Sequence, residues 1–434
     1  MTKSKNKMTR RNFLATGAVA TAAISGFPFV HTSRAQATKP LNIGVIGCGG
    51  RGTGAAENAL TAAPNIHLIA LADPFADRVE RCLKTLTNPK RRSGPLQGVE
   101  VKEDHIFTGL DCHKKLLETD VDYVILTGPP GFRPRSFEAA IEADKHVFME
   151  KPVATDPVGV RKILKTGEKA KEKRLSVVVG FDNRHSNSTS ETIKRIHDGW
   201  MGEIVSGRSY YNTGFLWHRG DEPEWTEMEY QCRNWYYFCW LSGDHIVEQH
   251  IHNIDVVNWV MGGYPIRALG VGGRQARTEP RWGNIYDHFI IDYEYPNGAH
   301  VMSMCRQWGN CDTATGNFFA GTKGKSSVGF ILGNVGGEIS GERNWKSEKD
   351  EVTPKVYEHF ELIESIRKGN PMNQSDIGAY STLTAIMGRE SAYTGKDVTW
   401  DEMLKSDLDL FPKKVEFGTA PKRAVPIPGQ PRPL

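Results

Sequence analysis

The chain has 434 residues, of which 39% are hydrophobic and 24% are charged. This length is enough for two domains of ordinary size, and the composition is typical of a globular protein rather than a disordered one. The formal net charge is +4, but residues 1–37 carry six Lys and Arg side chains and no Asp or Glu. Because this leader accounts for +6, the rest of the chain carries −2, which removes the electrostatic basis for binding nucleic acid.

Residues 1–37 have the parts of an export signal. Thr9–Leu14 reads TRRNFL, which is a twin-arginine pattern, and a mildly apolar stretch runs from Leu14 to Val30. Residues 35–37 read AQA and offer a cleavage site of the A-x-A type. We therefore predict a twin-arginine signal peptide at residues 1–37, the twin-arginine export machinery as a partner and a periplasmic protein. A disordered or membrane-anchoring tail is the alternative, although no stretch is long and apolar enough for a stable membrane span.

Residues 38–180 alternate short apolar strands with helical stretches. The predicted strands are Leu41–Ile46, His67–Ala72, Val121–Leu126, His146–Met149 and Leu175–Val179. The predicted helices between them are Gly54–Ala63, Phe75–Leu86, Ser136–Ala143 and Val153–Lys173. Strands that alternate with helices form parallel sheets, so we predict an N-terminal α/β domain with a doubly wound parallel sheet.

Residues 181–417 have a different pattern, with runs rich in β-branched and aromatic residues. These runs are Ile204–Tyr211, Ile266–Gly272, Phe289–Tyr295 and Val301–Gln307. Two helices are predicted after them, at Tyr357–Lys368 and Asp376–Thr394. We predict an α+β domain for substrate binding and oligomerisation, with a large, mostly antiparallel open sheet. Residues 418–434 contain five prolines and are predicted to form an extended C-terminal arm.

A G-x-G-x-x-G motif, GCGGRG at residues 47–52, follows the first predicted strand and precedes the first predicted helix. In this setting glycines permit a tight turn and let backbone N–H groups approach a pyrophosphate at the helix N-terminus. We therefore predict a Rossmann domain that binds NAD(P). The predicted cofactor-binding residues of the motif are Gly47, Gly49, Gly50, Arg51 and Gly52. A glycine-rich surface turn is the alternative.

Asp73 ends the second predicted strand, 26 residues after Gly47. A carboxylate at this position accepts hydrogen bonds from ribose hydroxyls and repels a 2′-phosphate. We therefore predict NAD as the cofactor. NADP is the alternative, because Arg51 and Arg78 can offset that repulsion.

Glu150-Lys151-Pro152 lies at the end of a predicted strand. Together with the glycine motif, this tripeptide makes residues 41–400 resemble the glucose-fructose oxidoreductase, inositol dehydrogenase and rhizopine-catabolism (Gfo/Idh/MocA) family. The resemblance implies a homo-oligomeric NAD(P)-dependent oxidoreductase acting on a sugar, a polyol or an inositol-like alcohol. It places Lys151 beside the nicotinamide and the reacting hydroxyl, and Glu150 at the cofactor. The loop Thr127-Gly128-Pro129 lacks the His that many relatives carry nearby, so the resemblance implies only backbone contacts to the cofactor there.

The segment Gly243–Asp255 resembles the family's D-x-x-x-H-x-I-D segment, in which the His exchanges a proton with the substrate hydroxyl. Apolar residues recur at helical spacing at positions 247, 251 and 254. The adjacent stripe holds His245, Glu248, His252 and Asp255. The resemblance gives His252 the acid/base role, and Glu248 stands where the family has Asp. On one continuous helix these two side chains lie a turn apart, so we expect them to hydrogen bond.

Four further residues are candidates for contact with the substrate: Arg184, Tyr236, His245 and Asp255. For His245, packing in the domain interface is an equal alternative. A metal bound by His250, His252 and Glu248 is the competing interpretation of the histidine segment. We predict no metal, because H-x-H on a helix points its rings to different sides and the HExxH spacing is absent.

Three functions are compatible with these motifs. The first is an oxidoreductase in which NAD is tightly bound, because free nicotinamide is scarce outside the cytoplasm and must be regenerated in place. The second is a redox-neutral, NAD-dependent glycoside hydrolase that oxidises its sugar transiently. The third is a sugar-binding protein with a vestigial nucleotide fold, against which the retention of Lys151, Glu248 and His252 argues.

Overall fold

The structure, a computed structural model, describes residues 39–90, 94, 96–331 and 334–432. The predicted signal peptide at 1–37 and the last two residues of the predicted arm lie outside the described residues. Within this described part, no helix is both long enough and apolar enough to cross a membrane.

The first sheet has six parallel strands in the order β3-β2-β1-β4-β5-β6. They are β1 Leu41–Ile46, β2 Ile66–Asp73, β3 Ile106–Thr108, β4 Tyr123–Leu126, β5 His146–Met149 and β6 Val177–Val179. Helices cover both faces, so the central strands are apolar and almost completely buried. The predicted doubly wound parallel sheet is confirmed, with β3 as an additional short edge strand.

The helices of this domain are α1 Gly50–Ala62, α2 Ala76–Leu86, α3 Cys112–Leu117, α4 Arg133–Glu142 and α5 Pro157–Glu172. Across the sheet, Ile46 pairs with Leu126 and Leu126 pairs with Met149. The residues that follow β1, β4 and β5 therefore meet at one edge of the sheet. In open α/β sheets, ligands bind at this carboxyl edge.

The second sheet has nine strands in the order β14-β13-β12-β11-β7-β10-β9-β8-β15. The strands are β7 Ile204–Thr213, β8 Arg267–Gly273, β9 His288–Glu294, β10 His300–Gln307, β11 Ala314–Gly321, β12 Gly324–Ile331, β13 Asn334–Gly341, β14 Trp345–Lys346 and β15 Val398–Thr399. Neighbouring strands are antiparallel except β7 and β10, which are parallel. The prediction of a large, mostly antiparallel sheet is thereby confirmed.

Eight helices in the described residues follow β6. They are α6 Asn187–His197, α7 Glu227–Arg233, α8 Cys239–Ser242, α9 His245–Glu248, α10 Ile251–Met261, α11 Pro354–Arg367, α12 Ser375–Thr394 and α13 Trp400–Lys405. The 20-residue α12 packs against β8 and β9 on one side and against α5 on the other. It is buried along nearly its whole length because it fills the space between the two sheets.

Helix α11 is in the part of the sequence predicted to belong to the second domain, yet it packs against α1. Its side chains Leu362 and Ile363 join the apolar core around β1 and β2. The first domain therefore takes a helix from the C-terminal part of the chain. This packing brings the first turn of α11 to the carboxyl edge of the parallel sheet.

The C-terminal segment runs back over both parts of the fold. The backbone N–H of Leu410 donates to Asp156 at 2.9 Å, and the Phe411 ring lies edge-on to Phe132. Further along, the Phe417 ring is 6.1 Å from Phe75. The described part of the predicted arm, residues 418–432, contains no helix or strand.

Candidate active site

The glycine motif forms the turn between β1 and α1. Gly47 has φ +105°, and a Cβ there would lie 2.4 Å from the backbone N of Gly128. A Cβ on Gly52 would lie 1.8 Å from the carbonyl oxygen of Gly47. By contrast, a Cβ on Gly49 or Gly50 would meet no described atom within 4 Å. The outer glycines are thus required for packing, and the inner two leave the backbone open at a helix N-terminus that carries no acidic residue.

This open turn fits a dinucleotide. Gly49, the N-cap of α1, has no side chain to occupy the free N–H groups of the first helical turn. A pyrophosphate there accepts these hydrogen bonds and lies at the positive end of the 13-residue helix. The residues present therefore suit the phosphates of NAD or NADP.

Asp73 lies beside the glycine turn. Its Oδ2 accepts from the backbone N–H of Cys48 at 2.8 Å, and its Oδ1 accepts from that of Phe75 at 3.0 Å. Burial raises the pKa of the Asp73 carboxyl, although these two hydrogen bonds act in the opposite direction. The side chain also lines the adjoining cavity, where the ribose interaction was predicted.

A cavity of about 560 Å³ begins at this turn and is lined by residues at the carboxyl edge of the parallel sheet and by helix and loop residues from the rest of the chain. Its lining includes these residues selected from the sequence: Gly47, Gly49, Gly50, Arg51, Gly52, Asp73, Thr127, Gly128, Pro129, Glu150, Lys151, Tyr236, Glu248 and His252. The nucleotide turn and the candidate catalytic side chains thus share one cavity.

The histidine segment is not one helix, which corrects the prediction. After α9 the backbone N–H of His250 bonds to the carbonyl of His245, and that of His252 bonds to the carbonyl of Gln249. The regular i to i−4 pattern is therefore interrupted between α9 and α10, and the carbonyl of Glu248 is left without its helical donor. Interruptions of this kind are frequent at functional sites.

Lys151 uses the carbonyl that this interruption frees. Its Nζ donates to the backbone oxygen of Glu248 at 2.6 Å and to Glu248 Oε1 at 3.0 Å. Both side chains are more than nine-tenths buried, so the ion pair is held in a low-dielectric setting. The two bonds fix the ammonium group at the cavity wall and leave its third N–H for a ligand.

The prediction that Glu248 and His252 form a hydrogen bond is wrong. Because the helix is interrupted, Glu248 pairs with Lys151, and His252 Nδ1 lies 3.5 Å from Asp182 Oδ1. Asp182 follows β6 and was not selected from the sequence. Burial would raise the pKa of Asp182, but the hydrogen bond and charge of His252 outweigh it and hold that pKa below the ordinary value.

Tyr236 is the one of the four substrate candidates that lines the cavity. Its hydroxyl accepts from Gln307 Nε2 at 2.6 Å, which leaves the phenolic proton for another acceptor. Gln307 is held in turn by Arg277 Nη1, 2.8 Å from its Oε1. Burial raises the pKa of Tyr236, so the phenol stays neutral.

The other three candidates do not line the cavity, which corrects the expectation that they contact substrate. Arg184 and Asp255 form a two-pronged ion pair with distances of 2.7 and 2.9 Å. Ser381 Oγ donates to the same carboxylate at 2.7 Å. His245 is fully buried, with Nδ1 3.0 Å from Asp244 Oδ1. Except for His245 Nε2, which has no hydrogen-bond partner among the described residues, the polar atoms of these groups are bonded within the interior, as most buried polar groups are.

The described residues contain no group of three or more His, Cys, Asp or Glu side chains arranged to hold a metal ion. His250, considered above as a ligand, is fully buried with Nε2 2.7 Å from Ser303 Oγ. Burial lowers the pKa of His250 to about 3, so the ring is a neutral part of the core.

Arg51 is bound to two carboxylates that line the cavity. Its Nε bonds to Glu150, and its Nη2 lies 3.3 Å from Glu358 Oε1 on α11. Burial and the nearby Glu150 raise the pKa of Glu358 well above its ordinary value. Glu358 and Gln249 also line the cavity, and both were missed. No motif near Glu358 in the sequence indicates a role in the site. Its helix, α11, lies more than 300 residues after Arg51 in the chain.

Two family models match the chain over these two parts of the fold. Residues 41–181 match a model described as an oxidoreductase family with an NAD-binding Rossmann fold, and residues 190–326 match the GFO/IDH/MocA C-terminal domain. The chain belongs to the Gfo/Idh/MocA family. This membership makes it an oxidoreductase-family enzyme with an NAD-binding domain and confirms the resemblance found in the sequence.

Curated Gfo/Idh/MocA relatives differ in their reactions. The scyllo-inositol 2-dehydrogenase (NAD⁺) of Bacillus subtilis is 25% identical over 257 residues, which are 59% of this chain and 64% of the relative. A glycosyl hydrolase family 109 protein of Solibacter usitatus is 26% identical over 197 residues, 45% of this chain and 43% of the relative. These matches span only part of each relative's length.

Solved structures of low sequence identity share the Gfo/Idh/MocA fold. Aldose-aldose oxidoreductase from Caulobacter crescentus superposes with a TM-score of 0.65 at 18% identity, covering 83% of this chain and 100% of that one. Levoglucosan dehydrogenase in complex with NADH and levoglucosan gives 0.64 at 16% identity, covering 83% and 99%. The chain therefore shares its fold with these proteins.

Proposed function

We propose that this Gfo/Idh/MocA enzyme transfers hydride between a tightly bound NAD and a hydroxyl-bearing carbon of a sugar, polyol or inositol-like alcohol. The observation that supports this most directly is that Lys151 and His252 line the same cavity as the nucleotide turn. The sugar and inositol substrates named for its relatives support the substrate class. Asp73, at the ribose end, favours NAD.

The chain's own residues supply the proton chemistry of this reaction. NAD, when bound, supplies the acceptor for the hydride. His252 is held through Nδ1 by Asp182, so its Nε2 is the atom that takes the hydroxyl proton of the substrate. The free N–H of Lys151 donates to the same substrate oxygen and stabilises negative charge developing there. Glu248 acts by positioning Lys151.

A redox-neutral glycoside hydrolase is the second candidate, because the chain also matches a glycosyl hydrolase family 109 protein. In that reaction the hydride removed from the sugar is returned to it, so no net oxidation occurs. The same groups at residues 151 and 252 serve both reactions. The two candidates differ in whether a glycosidic bond is broken and whether reduced nicotinamide accumulates.

Absorbance of the purified protein distinguishes these candidates. We expect bound nicotinamide in the preparation and, on addition of sugars or inositols without an aglycone, a lasting rise in the absorbance of the reduced form. Release of an aglycone from an aryl glycoside with no lasting rise identifies the hydrolase. A protein that neither contains nor binds nicotinamide contradicts both candidates.

We also propose that the protein is exported through the twin-arginine machinery to the periplasm, where a tightly bound cofactor is needed. The motif at residues 9–14 supports this. We expect the Arg10→Lys, Arg11→Lys variant to remain in the cytoplasm, folded, when cells are fractionated. Equal amounts of wild type and variant in the periplasm would contradict export by this route.

A further inference from the structure

Tyr236 is the last member of a chain of three buried polar side chains that begins at Arg277. Arg277 Nη1 lies 2.8 Å from Gln307 Oε1, and Gln307 Nε2 lies 2.6 Å from the Tyr236 hydroxyl. All three residues are at most 1% exposed. Gln307 is the last residue of β10, and Arg277 is in the connection between β8 and β9. The chain therefore runs from the nine-stranded sheet to the wall of the cavity.

The hydrogen bonds of this chain have a fixed direction. A guanidinium group has donors only, so Gln307 must turn its amide oxygen to Arg277 and its amide nitrogen to Tyr236. The phenolic oxygen accepts that N–H, and Tyr236 must direct its own proton elsewhere. Among the described residues, no group accepts this proton. A buried donor left without an acceptor is destabilising, so Tyr236 is ready to bind an acceptor in the cavity.

Arg277 and Gln307 are both anchored to Asp287, just before β9. Arg277 donates through its backbone N–H to Asp287 Oδ2 at 3.1 Å, and through Nη2 to the carbonyl of Tyr286 at 2.6 Å. The backbone N–H of Gln307 donates to the Asp287 carbonyl at 2.9 Å. These bonds tie the first two members of the chain to the sheet, and a rigid element positions a donor more exactly than a free loop does.

The Tyr236 phenol lies near the catalytic end of the cavity. Burial raises the pKa of Tyr236 well above its ordinary value, and the negative charge of Glu248 is the next largest cause. Tyr236 is therefore close to the carboxylate that holds Lys151. The phenol is neutral, and the hydrogen bonds that reach it from Arg277 through Gln307 polarise its O–H bond. A neutral, polarised O–H group of this kind suits an oxygen acceptor.

We propose that Tyr236 is a substrate-binding residue whose O–H donates to an oxygen of the sugar, polyol or inositol-like substrate. Gln307 and Arg277 are positioning residues, because they set the direction of this donor. The proposal rests on the proposed function, since it requires an alcohol substrate in the cavity. It adds a third side chain to Lys151 and His252 in contact with that substrate.

Two substitutions remove the Tyr236 donor in different ways. Tyr236→Phe deletes the hydroxyl group. Gln307→Glu keeps the size of the side chain, but its carboxylate accepts from both Arg277 and Tyr236, so the phenolic proton turns away from the cavity. Tyr293→Phe is the matched control, because the Tyr293 hydroxyl is buried, donates to the Thr384 carbonyl at 3.0 Å and does not line the cavity.

The second-order rate constant for reduction of the bound nicotinamide by glucose, myo-inositol, scyllo-inositol or levoglucosan measures the effect of these changes. We expect this rate constant to fall about tenfold in Tyr236→Phe and in Gln307→Glu, with the content of bound nucleotide unchanged. The double variant should fall no further than either single variant, because both changes remove the same hydrogen bond. The control Tyr293→Phe should keep the wild-type rate constant.

Wild-type rate constants in Tyr236→Phe or Gln307→Glu, or losses that multiply in the double variant, overturn the proposal. Loss of bound nucleotide from Tyr236→Phe also overturns it, because the tyrosine then acts on the cofactor. An equal fall in Tyr293→Phe that follows its loss of Tm shows a packing role only. If none of the four compounds reduces the nicotinamide of wild type, the proposed function itself fails, and this proposal fails with it.

Discussion

Asp182 and Lys151 reach the catalytic end of the cavity from the carboxyl ends of β6 and β5. Each contacts a different side chain of the histidine segment: Asp182 contacts His252, and Lys151 contacts Glu248. The proposed acid/base group, His252, and the proposed oxyanion-stabilising group, Lys151, are thus positioned independently. A histidine that is held by a carboxylate has a fixed tautomer and orientation, which proton transfer requires.

The Asp182→Asn variant tests this positioning. A hydrogen bond to a charged group contributes about 1.5–3 kcal/mol, so we expect kcat to fall by about tenfold or more with little change in KM. The Asp255→Asn variant, at a carboxylate outside the cavity, serves as the control for structural damage. A fall in both variants that follows their loss of stability would contradict a specific role of Asp182 in orienting His252.

The same contact predicts a pH dependence of stability. Because the folded pKa of Asp182 lies below its unfolded value, the carboxylate stabilises the fold above the ordinary aspartate pKa, and this contribution is lost as the pH falls through the folded value. The difference in unfolding free energy between wild type and Asp182→Asn should therefore be full at about pH 5, where an ordinary histidine is still charged, and shrink below about pH 4. Urea unfolding at several pH values measures this difference in free energy. A difference that does not change with pH would count against the contact between Asp182 and His252.

The sequence selected Lys151, Glu248 and His252 as candidates, since each lies in a segment that resembles a motif of the family, and all three line the cavity. It did not identify how they pair, because the spacing of residues 248 and 252 assumes a continuous helix. The carbonyl freed by the interruption after Glu248 accepts a hydrogen bond from Lys151, a residue about a hundred positions earlier. Such partners are set by the assembled fold rather than by neighbouring residues.

At the scale of elements, the glycine turn needs close packing at one glycine and open backbone at another. Mutation can test these two requirements separately. Gly52 is packed against the Gly47 carbonyl, whereas Gly49 faces open space. We expect Gly52→Ala to destabilise the fold by about 1–3 kcal/mol, because inserting an atom into a packed site forces the backbone to move. Gly49→Ala should keep the wild-type Tm without ligand and lose the stabilisation that NAD gives.

Thermal unfolding with and without NAD measures both effects for the glycine variants. If Gly49→Ala gained as much stability from NAD as wild type, the turn would not be where the pyrophosphate binds. If Gly52→Ala had the wild-type Tm, the close packing inferred for the turn would be wrong.

The strands of the second sheet show where sequence patterns were insufficient. β7–β10 were predicted because their sequences are rich in β-branched and aromatic residues. β11–β13 were missed, since runs such as ATGNFFAG and NVGGEISG are rich in glycine and polar residues. Their pairing is stabilised by the neighbouring strands, and strand propensity depends strongly on that context.

At the scale of the whole molecule, the nine-stranded sheet has one face covered by α6, α10 and α12 and the other face exposed. The exposed face carries Val205, Leu269, Val271, Ile290 and Met302, with Val271 65% exposed. An apolar surface of this kind is typical of an interface between subunits. The homo-oligomer stays a prediction of the family resemblance, and this face is where we expect its interface.

Replacing Leu269 and Val271 together by Glu should therefore yield a monomer. Association of two subunits through this face would bury the new carboxylates without a partner of opposite charge. Light scattering measures the mass of the variant against wild type and against the control Ile427→Glu. Ile427 is also exposed, at 54%, but lies in the C-terminal segment rather than on the sheet. A monomeric wild type, or equal masses for all three proteins, would contradict the interface.

The central claim is that Lys151 and His252 act together on one substrate oxygen beside bound NAD. The most direct measurement is the single-turnover rate at which sugar or inositol raises the absorbance of reduced nicotinamide in wild type, Lys151→Met and His252→Asn. We predict that both variants retain bound nucleotide but reduce it about 10²–10⁴-fold more slowly than wild type. Wild-type rates in either variant, with nucleotide bound, would contradict the account.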